Sequence, residues 1–237
     1  TAATKIMMIT MSISSSLGAV IMPRTSNLIA EGRMDEFRIL IQKSYDFVLA
    51  LAMPLTVGLI FTSPSIILLL SGEGFAPAVL TSQIVASNIL MVGLSGVMGI
   101  QVLYPLGKIN IVILCTLIGA AVNVFFNVLL IPRYGHNGTA VAYMLAEVAV
   151  TVSMFLIGRK YIPIQFLKKQ HLHYVGGGIV MGGVLYFISL LGLSIISTLI
   201  TMICVGIMVY IIVLLWLKDS IGMVILSIVW RKMKCRC

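Results

Sequence analysis

Apolar residues run along this chain in blocks of about 20, and no stretch alternates with the two-residue period of a transmembrane barrel strand. Seven blocks stand out: Ile6 to Asn27, Tyr45 to Leu70, Pro77 to Leu103, Ile109 to Ile131, Thr139 to Ile157, Tyr174 to Leu191 and Ile195 to Leu217. About 20 helical residues at ~1.5 Å each span a bilayer core of about 30 Å. In lipid every backbone polar group must be satisfied within its own helix. The pattern therefore predicts an all-α integral membrane protein with about seven transmembrane helices. Between the blocks lie a charged loop, Glu31 to Lys43, a glycine-rich turn, Ser71 to Ala76, a short turn at Gly107 and Lys108, a hairpin turn, Pro132 to Gly138, and a basic loop, Gly158 to His173. Lys218 to Cys237 forms a tail.

The hairpin from Leu114 to Val150 places costly polar groups inside apolar helices. Proline and glycine in the Pro132 to Gly138 turn interrupt the helix, so the flanking segments are expected to run antiparallel. Asn123 and Asn127 share one face of the first segment. Thr139, Tyr143, Glu147 and Thr151 make a stripe of the same spacing on the second. Asn123 lies nine residues before Pro132 and Glu147 nine after Gly138. The two are therefore expected to face each other at equal depth, about 13 Å inside. A carboxyl group at that depth costs on the order of 2.5 to 3.5 kcal/mol on insertion scales, so Glu147 reads either as a protonation or cation site or as an amide-bonded joint between helices.

Charge orients the chain. With alternate loops assigned to opposite sides, fourteen of the Lys and Arg residues fall on one side, and only Lys5 and Arg133 fall on the other. By the positive-inside rule the basic side is cytoplasmic, the amino end of the chain lies outside and the carboxyl terminus lies inside. That orientation, with Thr as first residue, leads us to expect an odd number of preceding spans and hence the carboxyl-terminal part of a longer protein. The tail, apolar from Ile221 to Trp230 and basic after it, suits an interfacial helix on anionic membrane lipids.

Composition narrows the function classes. Sixty per cent of residues are hydrophobic and a tenth are charged, which leaves no water-exposed domain to carry a basic nucleic-acid face. Cys115, Cys204, Cys235 and Cys237 show no metal spacing, and no metal or cofactor site is expected. His136, His171 and His173 fall in predicted loops, and no carboxylate pair or phosphate loop appears, so an enzyme is disfavoured. Asn137-Gly138-Thr139 fits a glycosylation sequon, a weak three-residue match.

The remaining spans carry packing signals. Thr10, Ser12, Ser14, Ser15 and Ser16 give the first span a small hydroxylated face, and Pro54 and Pro64 free carbonyls in the second. Gly93, Gly96 and Gly99 recur in the third, beside the amides Gln83, Asn88 and Gln101, which in membranes serve mainly as interhelical glue. Gly178 and Gly182 form a small-xxx-small pair in the sixth. Arg24, near the basic end of the first span, either holds a phosphate in bidentate fashion or snorkels to the headgroups, and Lys5 poses the same alternative at the other end.

Four stretches now carry a resemblance: LGAVIMPRTSNLIAEG at Leu17 to Gly32, FTSPSIILLLSGEGFAPAV at Phe61 to Val79, GIQVLYPLGK at Gly99 to Lys108, and NVFFNVLLIPRYGHNGTAVAYMLAE in the hairpin. In this order they resemble the polysaccharide-flippase branch of the multidrug/oligosaccharidyl-lipid/polysaccharide superfamily, the Wzx-type exporters. The resemblance implies two six-helix lobes rocking about a central cavity. Residues 1–160 would supply the second lobe without its first helix, 161–217 two appended helices, and 218–237 a basic cytoplasmic tail. It further implies alternating access that turns a polyprenyl-pyrophosphate-linked oligosaccharide from the inner to the outer leaflet of a bacterial cell membrane, together with a missing amino-terminal lobe. Arg24 and Lys5 would then contact pyrophosphate, while Glu147, Asn123, Asn127 and Gln101 would line the cavity or couple an ion. The competing readings are a lipid II flippase or multidrug exporter of the same superfamily, a membrane enzyme of glycan assembly, and a structural subunit.

Overall fold

A computed structural model describes residues 18–166, 168–217 and 219. Lys5, the first part of the first predicted span and all of the tail except Asp219 lie outside the described residues.

The described residues form α1 (18–30), α2 (Met34–Ser71), a 3-10 turn (Glu73–Phe75), α3 (Ala78–Ser87), α4 (Ile89–Gly96) running into a π-helical segment (Val97–Leu103), α5 (Ile109–Gly158), α6 (Lys169–Ser189) and α7 (Ile195–Trp216). Among the described residues, five stretches are long and apolar enough to cross a membrane: α2, the run Ala78–Leu103, α5, α6 and α7. The 50-residue α5 would be ~75 Å long if straight, more than twice the bilayer core. Instead it folds back at Gly135, the one position inside it with non-helical angles (φ 54°), which glycine adopts without a side-chain clash. The two arms then close on each other: a Cβ at Gly138 would sit 2.6 Å from the Leu130 carbonyl, and one at Gly119 would overlap the Val150 side chain. With the arms counted separately and the run Ala78–Leu103 taken as one, six of the predicted spans correspond to described helices of this multi-pass membrane protein, and α1 covers the described end of the first.

The connections differ from expectation in three places. Helix α2 begins at Met34, so most of the predicted charged loop is helical. Phe37, Ile41, Tyr45 and Val48 are buried at helical spacing and carry the helix back past the charged residues. What remains of the loop is a turn in which Arg33 hydrogen-bonds Glu31 and Glu36. These two carboxylates, Glu31 first, hold its guanidinium above its ordinary pKa. The predicted hairpin turn is also almost wholly helical, with only Gly135 breaking it. In the predicted basic loop, α6 starts at Lys169, so His171 and His173 lie in its first turns.

Helix α2 is the centre of the bundle, packed against α3 and α4 on one side and α6 and α7 on the other, while α5 covers α3, α4 and the π segment. Its two prolines explain how. Proline lacks the N–H that would bond the carbonyl four residues earlier, so Pro54 frees Ala50 and Pro64 frees Ile60. Tyr210 of α7 donates its hydroxyl to the Ala50 carbonyl at 2.9 Å. Gln83 of α3 donates its amide to the Ile60 carbonyl at 3.1 Å. Each break in α2 thus becomes the docking point of a neighbouring helix. Close approach does the rest: Cβ atoms at Gly178 and Gly182 would lie 3.7 and 3.4 Å from Val57 of α2. The small-xxx-small pair is a packing face.

Candidate functional site

The first candidate surface is built on α1. Thr25 and Leu28 are buried, and the Cβ position of Gly18 lies 3.1 Å from Ile100 of the π segment, so this face of α1 is anchored in the bundle. The opposite face, Val20, Pro23, Arg24, Asn27 and Ala30, is exposed. Arg24 makes no hydrogen bond or ion pair among the described residues. A guanidinium and an amide three residues apart on an outward-facing stripe are poor company for lipid tails. They suit a polar cavity, or the headgroup region at the end of the helix.

The second candidate is the polar pair of arms in α5. Contacts of Gly138 with Leu130 and of Gly119 with Val150 fix the register, and it puts Asn123 level with Glu147 and Asn127 level with Tyr143. The hydrogen bonds, however, run along each arm. Asn127 Nδ2 donates to the Asn123 carbonyl (2.9 Å) and side-chain oxygen (2.8 Å), and the partner of Glu147 is Tyr143. The Asn127 Oδ1 is buried without a hydrogen-bond partner among the described residues. Half-buried Glu147, Asn123 and Asn127 therefore offer three oxygens at neighbouring depths.

Gln101 has a different setting. It is 2 % exposed, in the π segment, and its Oε1 accepts a 2.5 Å hydrogen bond from Ser44 of α2. Its observed contact is a helix joint. Asn137 accepts from Thr81 at 2.6 Å and sits in helix, an arrangement that does not present a sequon on an open loop.

A third feature carried no sequence signal. Between α2 and α7, floored by Met181 of α6, runs an apolar groove of ≈ 450 Å³ lined by Phe47, Pro54, Gly58, Ile207 and Tyr210 among others. Its polar side chains are turned inward: Tyr210 bonds Ala50, and Thr62 bonds the Gly58 carbonyl at 2.7 Å. Among the described residues there is no group of three or more His, Cys, Asp or Glu able to hold a metal ion.

Comparison with known proteins yields the same architecture. Residues 3–214 match the family described as lipid II flippase MurJ. A solved structure, "Lipid II flippase MurJ, inward closed conformation", shares the fold with a TM-score of 0.79 over 92 % of this chain and 46 % of that one, at 18 % identity. The probable low-salt glycan biosynthesis flippase Agl15 of Haloferax volcanii is 26 % identical over 203 residues, 85 % of this chain and 43 % of that protein. The uncharacterized membrane protein MJ1068 of Methanocaldococcus jannaschii is 26 % identical over 155 residues, 65 % of this chain and 30 % of its own length. The chain spans less than half the length of each of these relatives.

Proposed function

Because the chain belongs to the lipid II flippase MurJ family, we propose that it is the carboxyl-terminal part of a flippase for lipid-linked saccharides, working by alternating access and without covalent chemistry. Its cargo in this reading is a polyprenyl-pyrophosphate-linked oligosaccharide destined for a surface glycan, moved from the inner to the outer leaflet of the cell membrane. The observation that carries the proposal is the outward stripe of α1, where Arg24 stands exposed with no hydrogen-bond or ion-pair partner among the described residues, on an otherwise anchored membrane helix.

The physical task is to take a hydrated anionic head across a medium that rejects it. Arg24 binds the pyrophosphate through paired charge-assisted hydrogen bonds at the cytoplasmic end of the first span, and Lys5 meets it at the other end. An amino-terminal lobe closes the other side of the cavity. The apolar groove between α2 and α7 holds the isoprenoid tail, because it presents almost no free donor or acceptor and lies on helices already in lipid. Glu147, Asn123 and Asn127 line the second lobe or bind the coupling ion, with oxygens offered at neighbouring levels of the α5 hairpin. Gln101 serves by holding α2 to the π segment. The positively charged end of the bundle faces the cytoplasm.

A second reading, lipid II itself as cargo, is favoured by the description of the matching family. Both cargoes share the polyprenyl pyrophosphate and differ in the sugar. Vesicles containing the full-length protein, loaded with either lipid-linked saccharide, separate them. Protein-dependent flipping of the oligosaccharide that is not suppressed by excess lipid II supports the first reading. Flipping of lipid II alone supports the second, and flipping of neither overturns both.

A further inference from the structure

Asp46 lies thirteen positions into α2 and is 9 % exposed. Its carboxylate gathers the start of α6. His171 Nε2 lies 2.9 Å from Oδ1, Gln170 Nε2 donates to Oδ2 at 2.8 Å, and Lys168 Nζ stands 3.6 Å from Oδ2. Gln42, one turn earlier on α2, donates to Oδ1 at 2.8 Å and accepts from the Gln165 backbone at 2.8 Å. An anion here also suits the amino end of α6, whose unpaired N–H groups carry partial positive charge beside Lys168 and Lys169.

The detail that matters is the other nitrogen of His171. The ring is 8 % exposed, and its Nδ1 lies 3.2 Å from the Lys168 backbone N and 3.0 Å from the Phe166 carbonyl oxygen. One ring atom is thus offered a donor and an acceptor together. A neutral ring with its proton on Nε2 donates to Asp46 and accepts from Lys168 N–H through Nδ1. A doubly protonated ring still donates to Asp46 through Nε2 and turns its Nδ1–H to the Phe166 carbonyl. Both protonation states are satisfied without moving a helix.

We propose that the His171–Asp46 pair is a proton-binding site that sets how firmly the start of α6 is held to α2. Proton uptake places an imidazolium against the Asp46 carboxylate and transfers the Nδ1 bond from Lys168 N–H to the Phe166 carbonyl, so the clamp tightens. No bond other than N–H is made. Among the described residues, the charged and titratable groups around the ring are Asp46 and Tyr45 from α2, Lys168 before α6, and Tyr174 within it. Tyr45 and Tyr174 have ring centroids 5.4 and 6.1 Å from the imidazole. His173 and Asp219 lie at the same end, with Asp219 accepting from Tyr174 at 3.2 Å. Phe47, the residue after Asp46 in α2, lines the apolar groove, so the clamp holds the start of α6 beside one end of that groove.

The test is nitrogen NMR of full-length protein labelled with ¹⁵N-histidine in lipid nanodiscs, the His171 signal being assigned by its loss in His171→Gln. In the neutral state the ring is expected as the Nε2–H tautomer. As the pH is lowered across the range in which the protein stays folded, it is expected to become doubly protonated with its Nε2 bond to Asp46 retained. A neutral ring protonated on Nδ1, or one that stays neutral over that range, overturns the site. This measurement needs no transport and is independent of the flippase reading. The functional arm rests on that reading: wild-type flipping is expected to change several-fold over the same pH range, and His171→Gln to flatten the profile. An unaltered profile in His171→Gln at wild-type abundance overturns the coupling.

Discussion

Replacing Tyr210 by Phe removes one oxygen atom and no packing volume. In the structure that oxygen is the donor to the Ala50 carbonyl, which Pro54 has deprived of its helical partner. Tyr210 is 5 % and Ala50 6 % exposed, so neither water nor headgroups can replace the bond. A buried orphan carbonyl costs about 1–3 kcal/mol, whereas interhelical hydrogen bonds in membranes average ~0.6 and reach ~1.7 kcal/mol. The expected loss for Tyr210→Phe is therefore about 1 kcal/mol. In a Pro54→Ala background the restored N–H of residue 54 takes the Ala50 carbonyl, and the same Tyr210→Phe change should cost less than about 0.5 kcal/mol. Reversible unfolding in bicelles, run on the four proteins of this cycle, measures the coupling. Equal costs of Tyr210→Phe in both backgrounds, within ~0.3–0.5 kcal/mol, would refute the claim that the proline break is what docks α7.

Other consequences concern the second proline, the hairpin and the cavity. Gln83→Leu should destabilise by about 1 kcal/mol for the same reason, and Pro64→Ala should relieve it, as read in the same unfolding assay. Gly119→Val should cost about 1–3 kcal/mol, since its Cβ position already collides with Val150, and a thermal melt of the detergent-solubilised protein reads it. Arg24→Ala and Arg24→Lys should both lower flipping at normal protein abundance, because lysine cannot supply the planar bidentate fork; unchanged flipping in both would leave Arg24 only a snorkelling role. Glu147→Gln should alter the pH dependence of flipping if Glu147 binds the coupling ion, and an unaltered profile would reduce it to a joint with Tyr143.

Much of the fold was legible because lipid punishes any exposed backbone, so each crossing must be written as a long apolar run. Counting residues from Pro132 and Gly138 also placed Asn123 level with Glu147, as the packed glycines of the hairpin require. Counting could not show which partner each would take, and both bond along their own arm. The prolines of α2 announced free carbonyls, but only tertiary packing names Tyr210 and Gln83 as their donors. Asp46 and His171 were missed for one shared reason. Asp46 stands just after, and His171 within, a charged segment that reads as loop, while burial on one helical face, at Phe37, Ile41 and Tyr45 for α2 and at His171 and Tyr174 for α6, extends the helices into those segments. Helical spacing of the apolar residues between the charges was the available signal. The groove between α2 and α7 left no trace in the sequence, because its lining residues look like any other lipid-facing positions.

Under the proposed function, this chain belongs to a protein that turns a lipid-linked saccharide across the membrane. The direct measurement is to deplete the full-length protein in its own cells and determine which leaflet holds the polyprenyl-linked saccharide, using a membrane-impermeant reagent on intact cells and on opened membranes. Accumulation is expected in the inner leaflet, reached only after the membranes are opened. Accumulation in the outer leaflet would contradict it.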